Sequence, residues 1–346
     1  MRYSKVYVDS FGYELPSNVV TSDDLEKRLE PLYNALHLKK GQLEALTGIY
    51  ERRFWDPGCR MYEGAIKAGQ KGLENSRVAP EQIGMIIYGG VCRDNLEPAT
   101  ACAVADALKL GPNAQIYDVT NACLGVLNGM VQVANAIELG QIRAGMVVSC
   151  ESSREIMDTT INRLLSNPDM DTFKQTVATL TGGSGAVAVV MCDKRLSEDG
   201  HQLLGGTARN ASRFHRLCLW GPNTGMPTTI EHVMRTDSIG VLQNGVALGI
   251  DTFNAFKKHL ALSDDKPDKI ICHQVGATHQ KTILDSLGIG TEKDFTTFSY
   301  LGNIGTVSLP ITAAIADERE FLLPGDLVGF LGIGSGLNCL MLGLRW

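Results

Sequence analysis

Short runs of aliphatic and β-branched residues alternate along the chain with longer stretches whose apolar positions recur every three or four residues. That is the pattern of strands alternating with amphipathic helices in a layered α/β fold. Strands are predicted at 83–91, 115–119, 144–151 and 185–191, and again at 269–273, 294–300, 327–333 and 337–344. Residues 1–8 alternate as a further strand, with no secretory hydrophobic region. Helices are predicted at 60–75, 98–109, 124–139, 239–259, 278–287 and 310–320.

The order of elements recurs. Ile86 and Ile270 sit in similar strands 184 residues apart, and Gly183-Ser184-Gly185 and Gly334-Ser335-Gly336, 151 apart, each open a closing apolar strand. The offsets differ by 33, and a helical excursion over 152–180 in the first half nearly supplies that difference. Two similar halves, 1–193 and 202–346, are therefore expected, joined across the polar, turn-prone stretch 193–201.

Composition narrows the class. At 346 residues the chain exceeds one ordinary core. The 32 basic and 38 acidic side chains leave −6, which argues against a broad nucleic-acid surface. No stretch approaches the length of a membrane span. Nine cysteines, none closer than ten residues to another, give no metal-ligand spacing and read as reduced thiols of a cytoplasmic protein. No metal site is expected. The glycine run at 332–336 lacks the dinucleotide-binding spacing and precedes a strand, so a nucleotide loop is rejected.

The most informative segment runs from strand 115–119 through Thr120-Asn121-Ala122-Cys123 into a helix. A thiol at a helix start meets unpaired N–H groups and the positive end of the macrodipole, both of which favour thiolate. His273 ends the strand 269–273, where open α/β sheets build sites. His279, at the following helix start, reads as a surface or capping residue. Asn303 stands in a Gly-Asn-Ile-Gly turn thirty residues beyond His273, at the place in the second half that matches Cys123 in the first. A pseudo-twofold between halves would point these residues at each other.

Cys123 in Asn-Ala-Cys, His273, Asn303 in Gly-Asn-Ile-Gly and the closing Gly334-Ser335-Gly336, with Thr47-Gly48-Ile49 near the start, resemble the thiolase superfamily. Within it the chain resembles the ketoacyl-carrier-protein synthase III branch. Cys92-Arg93-Asp94-Asn95-Leu96-Glu97-Pro98, with its glutamate 26 residues before the cysteine, resembles the group that condenses two fatty acyl-CoAs head to head in bacterial long-chain olefin biosynthesis. The resemblance implies a thiolase fold of two duplicated βαβαβαββ halves in five αβαβα layers, and a cytoplasmic homodimeric acyltransferase. It implies coenzyme A thioesters as substrates, no cofactor, and downstream enzymes of the olefin pathway as partners.

The implied roles are Cys123 as nucleophile and Glu97, from the partner subunit, as base. His273 and Asn303 hold the enolate, and the N–H groups of Cys123 and Gly336 form an oxyanion hole. Removing an α-proton from an unactivated thioester needs a base, whereas loss of CO₂ from malonyl does not. Arg52, Arg53 and Trp55 are expected at the mouth, against the CoA nucleotide, and Ile156, Met157, Ile161, Leu164 and Phe173 at an alkyl channel or a dimer contact. The alternatives are a malonyl-dependent synthase III and an inactive thiolase-fold scaffold.

Overall fold

The apolar runs form nine strands of one mixed sheet in the computed structural model, which describes residues 1–197, 200–222, 232–262 and 267–346. The strands are β1 (Val6–Glu14), β2 (Ile83–Gly89), β3 (Gln115–Val119), β4 (Ala144–Glu151) and β5 (Gly185–Asp193) in the first half. In the second they are β6 (His201–Asn210), β7 (Lys269–Cys272), β8 (Leu327–Gly334) and β9 (Asn338–Arg345). Their order is β7-β8-β9-β6-β1-β5-β4-β2-β3. Part of the inferred junction at 193–201 lies outside the described residues.

Pairing repeats between the halves. β2 lies parallel to β3 and β4, β4 is antiparallel to β5, and β5 to β1. Likewise β7 is parallel to β8, β8 antiparallel to β9, and β9 to β6. The halves join where β1 meets β6, antiparallel, through Tyr7↔Gln202 and Val8↔His201.

One predicted strand is corrected. Over 294–300 only Asp294 bridges, in parallel, to Ile270, at the position β3 holds in the first half. A short helix, Phe298–Leu301, follows. The amides of Thr297 and Phe298 donate to the Gln274 side chain at 2.9 and 3.2 Å. A side chain thus satisfies the donors that a neighbouring strand would otherwise take.

Eight long helices build the remaining layers: α1 (Met61–Glu74), α2 (Thr100–Ala107), α3 (Gly125–Glu138), α4 (Arg154–Ser166), α5 (Met170–Leu180), α6 (Ser238–His259), α7 (Ala277–Leu287) and α8 (Ser308–Glu318). Successive strand residues face opposite sides. Val187, Val189, Phe330 and Leu342 turn inward onto α3 and α8, while Ala188 and Val190 face α1 and α2, and Leu331 and Met341 face α6 and α7. The layers are therefore α1/α2, the first-half strands, α3/α8, the second-half strands and α6/α7, which is the expected αβαβα arrangement. Because α3 is central, it buries side chains around much of its circumference, Val126, Val133 and Ala136 among them.

The excursion 152–180 forms α4 and α5. Its Met157, Ile161, Leu164 and Phe173 pack with Leu25, Leu29, Leu32, Leu43 and Phe54 into a separate core. These side chains form the core of a helical cap. No helix among the described residues is long and apolar enough to cross a membrane.

Candidate active site

Cys123 follows β3 by four residues and precedes α3 by two. The chain reverses there through Ala122, whose φ of +44° is a left-handed conformation that costs an L-residue roughly 1–2 kcal/mol. Leu124 N–H donates to the Asn121 carbonyl at 2.9 Å. Gly125 opens α3 directly over Gly89 of β2, and a Cβ on either glycine would fall within 3 Å of the other's backbone. Backbone-on-backbone contact is thus what allows the helix to start so close to the sheet. The second half contributes as well: Thr306 Oγ1 accepts the Val126 N–H at 2.8 Å, capping α3.

His273 follows β7, and its N–H donates to the Leu331 carbonyl of β8 at 3.1 Å. Three residues further along β8, a Cβ on Gly334 would lie 3.3 Å from the Cys123 nitrogen. The end of β8 therefore carries His273 on one side and the Cys123 turn on the other. Asn303 is fixed by its own N–H to Thr181 O at 2.9 Å and by Gly183 N–H to its carbonyl at 3.0 Å. Its side-chain Oδ1 accepts the Gly305 N–H at 3.1 Å, which turns the amide NH₂ away from that turn and leaves it able to donate. Thr306, which caps α3, is three residues beyond Asn303, so the three turns converge.

Electrostatics depart from expectation in one respect. Burial pushes the Cys123 thiol up to about 12, with the nearby Cys218 and Glu151 adding to the effect. A thiolate was expected at the helix start, but desolvation outweighs the dipole. Burial also drives His273 down to about 4, with His279 adding to the effect, and its Nδ1 is buried without a partner. At neutral pH the empty site therefore holds a neutral thiol and a neutral imidazole. Alkylation of Cys123 by iodoacetamide requires the thiolate. Its rate should climb about tenfold per pH unit from pH 7 to 10 without levelling; a plateau at the ordinary thiol value of about 8.5 would contradict this.

Other predicted residues fall elsewhere. Glu97 is exposed on the segment between β2 and α2, beside Leu96, which is 94% exposed. The single chain does not bring it to Cys123. Gly336 adopts φ +134° over the Asn338 side chain. Arg52 and Trp55 are corrected: Arg52 is wholly buried, donating to Ser22 Oγ and Leu180 O, and Trp55 is buried with Nε1 on the Glu151 carbonyl. Arg53 donates to Pro16 O. Buried guanidinium and indole groups with internal partners do not meet a nucleotide at a mouth.

Sequence reasoning missed a chain of amides behind the site. Asn338 Nδ2 donates to Asn121 Oδ1 at 3.1 Å, and Asn121 Nδ2 to Asn128 Oδ1 at 2.7 Å, tying the turn before β9 to the cysteine turn and α3. It also missed Glu151, a lone acid ending the wholly buried strand β4. That isolation within an apolar run was the available signal.

A cysteine at a central helix start, on which the His273 and Asn303 turns of the opposite half converge in a duplicated αβαβα fold, is the arrangement of a condensing enzyme of the thiolase fold. In keeping with that, residues 117–208 match the 3-oxoacyl-[acyl-carrier-protein] synthase III family and residues 258–346 the C-terminal family of the same enzymes. The chain is 50% identical, over 100% of both chains, to an acyl-CoA:acyl-CoA alkyltransferase of Shewanella oneidensis. A β-ketoacyl-[acyl-carrier-protein] synthase III of Natranaerobius thermophilus is 26% identical over 97% of each. A cysteine-to-serine variant of Xanthomonas campestris OleA, solved with bound lauric acid and lauroyl-CoA, superimposes with a TM-score of 0.92. It is 33% identical, over 99% of this chain and 100% of that one. The chain belongs to the acyl-CoA:acyl-CoA alkyltransferase family.

Proposed function

We propose that this protein condenses two long-chain fatty acyl-CoAs head to head, without decarboxylation, through an acyl-Cys123 intermediate. The Cys123 sulfur attacks the first thioester carbonyl, the bond to CoA sulfur breaks, and the thiol proton leaves on CoA. N–H groups of Cys123 and Gly336 stabilise the tetrahedral oxyanion. Glu97 then takes the α-proton of the second acyl-CoA. His273 and the Asn303 amide hold the enolate oxygen while its α-carbon attacks the acyl-cysteine. A carbon–carbon bond forms, the carbon–sulfur bond breaks, and the expelled Cys123 thiolate takes back the proton that Glu97 removed. The product is a 2-alkyl-3-ketoacyl-CoA, which water converts to the 2-alkyl-3-keto acid and CoA. The steps call on coenzyme A thioesters and protein side chains, with no cofactor and no metal.

What supports this reading is the convergence of the Cys123 turn with the His273 and Asn303 turns of the other half, in a chain that also presents a carboxylate at 97. Decarboxylative chemistry has no use for that carboxylate. An exposed Glu97 suits a homodimer in which it serves the partner's site. β3 is the free edge of the sheet, with Ile116 38% exposed, and Asp118 on β3 accepts the N–H groups of Thr100 and Ala101. The exposed tip 95–98 therefore flanks an edge that a second copy can cover. Reduced cysteines and CoA substrates suit the cytoplasm, with olefin-pathway enzymes taking the keto acid onward. The repeated strand pairing supports 1–193 and 202–346 as the two halves.

Long-chain acyl-CoA supplied alone should release free CoA thiol and yield the keto acid. Strict dependence on malonyl-carrier protein would instead assign a synthase III.

A further inference from the structure

Glu151 is a buried acid against the Asn303 turn that the steps above leave without a task. It is 4% exposed, and no ion pair joins it to a described lysine or arginine. A buried carboxylate without a paired cation is costly, so what it holds in place matters. Its oxygens accept the N–H groups of Val91 and Cys92 at 2.9 and 3.1 Å. These two amides are the root of the segment that ends in Glu97.

Further anchors stiffen the same root. The Tyr88 hydroxyl lies 2.6 Å from the Cys92 carbonyl, and Asp94 accepts the N–H groups of Met61 and Tyr62 at the start of α1. Only the tip beyond Asp94 is left exposed. On its other side Glu151 packs against the second half. A Cβ on Gly305 would lie 3.3 Å from Glu151 Cγ, and Gly305 is the residue whose N–H orients the Asn303 amide. One carboxylate thus braces both the Glu97 segment and the Asn303 turn, and it makes no hydrogen bond to the Cys123 turn.

We propose that Glu151 is a positioning residue for carbon–carbon bond formation, holding Glu97 and Asn303 in register while leaving the loading of Cys123 to other groups. This rests on the reading of Glu97 as the base. Glu151 is ill suited to be the base itself, since two backbone amides already occupy its oxygens.

The test separates acylation from condensation in E151Q, E97Q and the double variant. The burst of CoA on mixing with acyl-CoA counts acylated sites, and keto acid formed per burst site reports condensation. In E151Q one backbone N–H meets an amide NH₂ in place of an acceptor, so the segment must shift. Condensation per site should fall by about tenfold or more, in line with the about 100-fold cost of a misplacement of about 1 Å. The burst should persist at wild-type size and speed, because the hydrogen bonds of Glu151 go to Val91 and Cys92 and none goes to the Cys123 turn. E97Q/E151Q should condense more slowly than E97Q alone, but by less than the full E151Q factor, the remaining loss being the share that acts through Asn303.

Equal loss of acylation and condensation in E151Q, or multiplicative losses in the double variant, would mark a merely structural role and overturn the proposal. So would full condensation in E151Q. Unchanged condensation in E97Q would instead overturn the reading of Glu97. Should E151Q fail to fold, E151D, which keeps the charge but withdraws it by one methylene, reads the same split.

Discussion

Cys123→Ala is expected to lose the acyl adduct entirely and to cut product formation by about 10⁴-fold or more, the scale on which removal of a nucleophile acts. Intact-mass spectrometry after incubation with acyl-CoA reads the first effect directly. The variant should fold normally, because the turn is held through backbone and neighbours, not through sulfur. Asn121 O accepts from Leu124, Thr306 caps Val126, and Gly89 underlies Gly125. An acyl adduct surviving in the alanine variant would move the nucleophile to another residue. Cys218, near enough to raise the Cys123 thiol, would be the first to test.

Glu97→Gln has the second-largest expected effect, and it falls on the other half of the reaction. Acylation of Cys123 should proceed at the wild-type rate. Condensation should drop by about 10²–10⁴-fold, the range for loss of a positioned general base. Because Glu97 is exposed, the substitution should change stability by no more than about 0.5 kcal/mol. Catalysis is therefore affected without a folding defect to confuse it. Retained condensation with a normal burst would return Glu97 to the ordinary duties of a carboxylate near a helix start.

Much of the fold was legible because its determinants are local. Runs such as 144–148 and 185–191 are apolar throughout, as strands covered on both faces must be, and the helices between them announce their buried stripes. The duplication was legible because the same order of strands recurs, and the pairing repeats it. The 294–300 segment misled because its composition suits a strand while its amides are taken by Gln274, a contact that no local pattern reveals.

The site was legible in part for the same reason. Cys123, His273 and Asn303 each end a strand or occupy a glycine turn, and those positions are visible in one dimension. Arg52 and Trp55 misled because basic and aromatic residues read as surface features, whereas here they lie inside with backbone partners. Glu151, Asn338 and Thr306 act across the boundary between halves, so their roles depend on folding. The protonation of Cys123 was misjudged because a helix start is visible in sequence and its desolvation is not.

The centre of the proposed reaction is the joining of two intact acyl chains at Cys123. The most direct measurement is the mass of the product formed from a single long-chain acyl-CoA with no malonyl donor present, after mild heating to drive off the keto acid's carboxyl group. A symmetrical ketone carrying both chains less one carbon is the predicted result. Free fatty acid alone, or a condensation product only when malonyl-carrier protein is added, would contradict it.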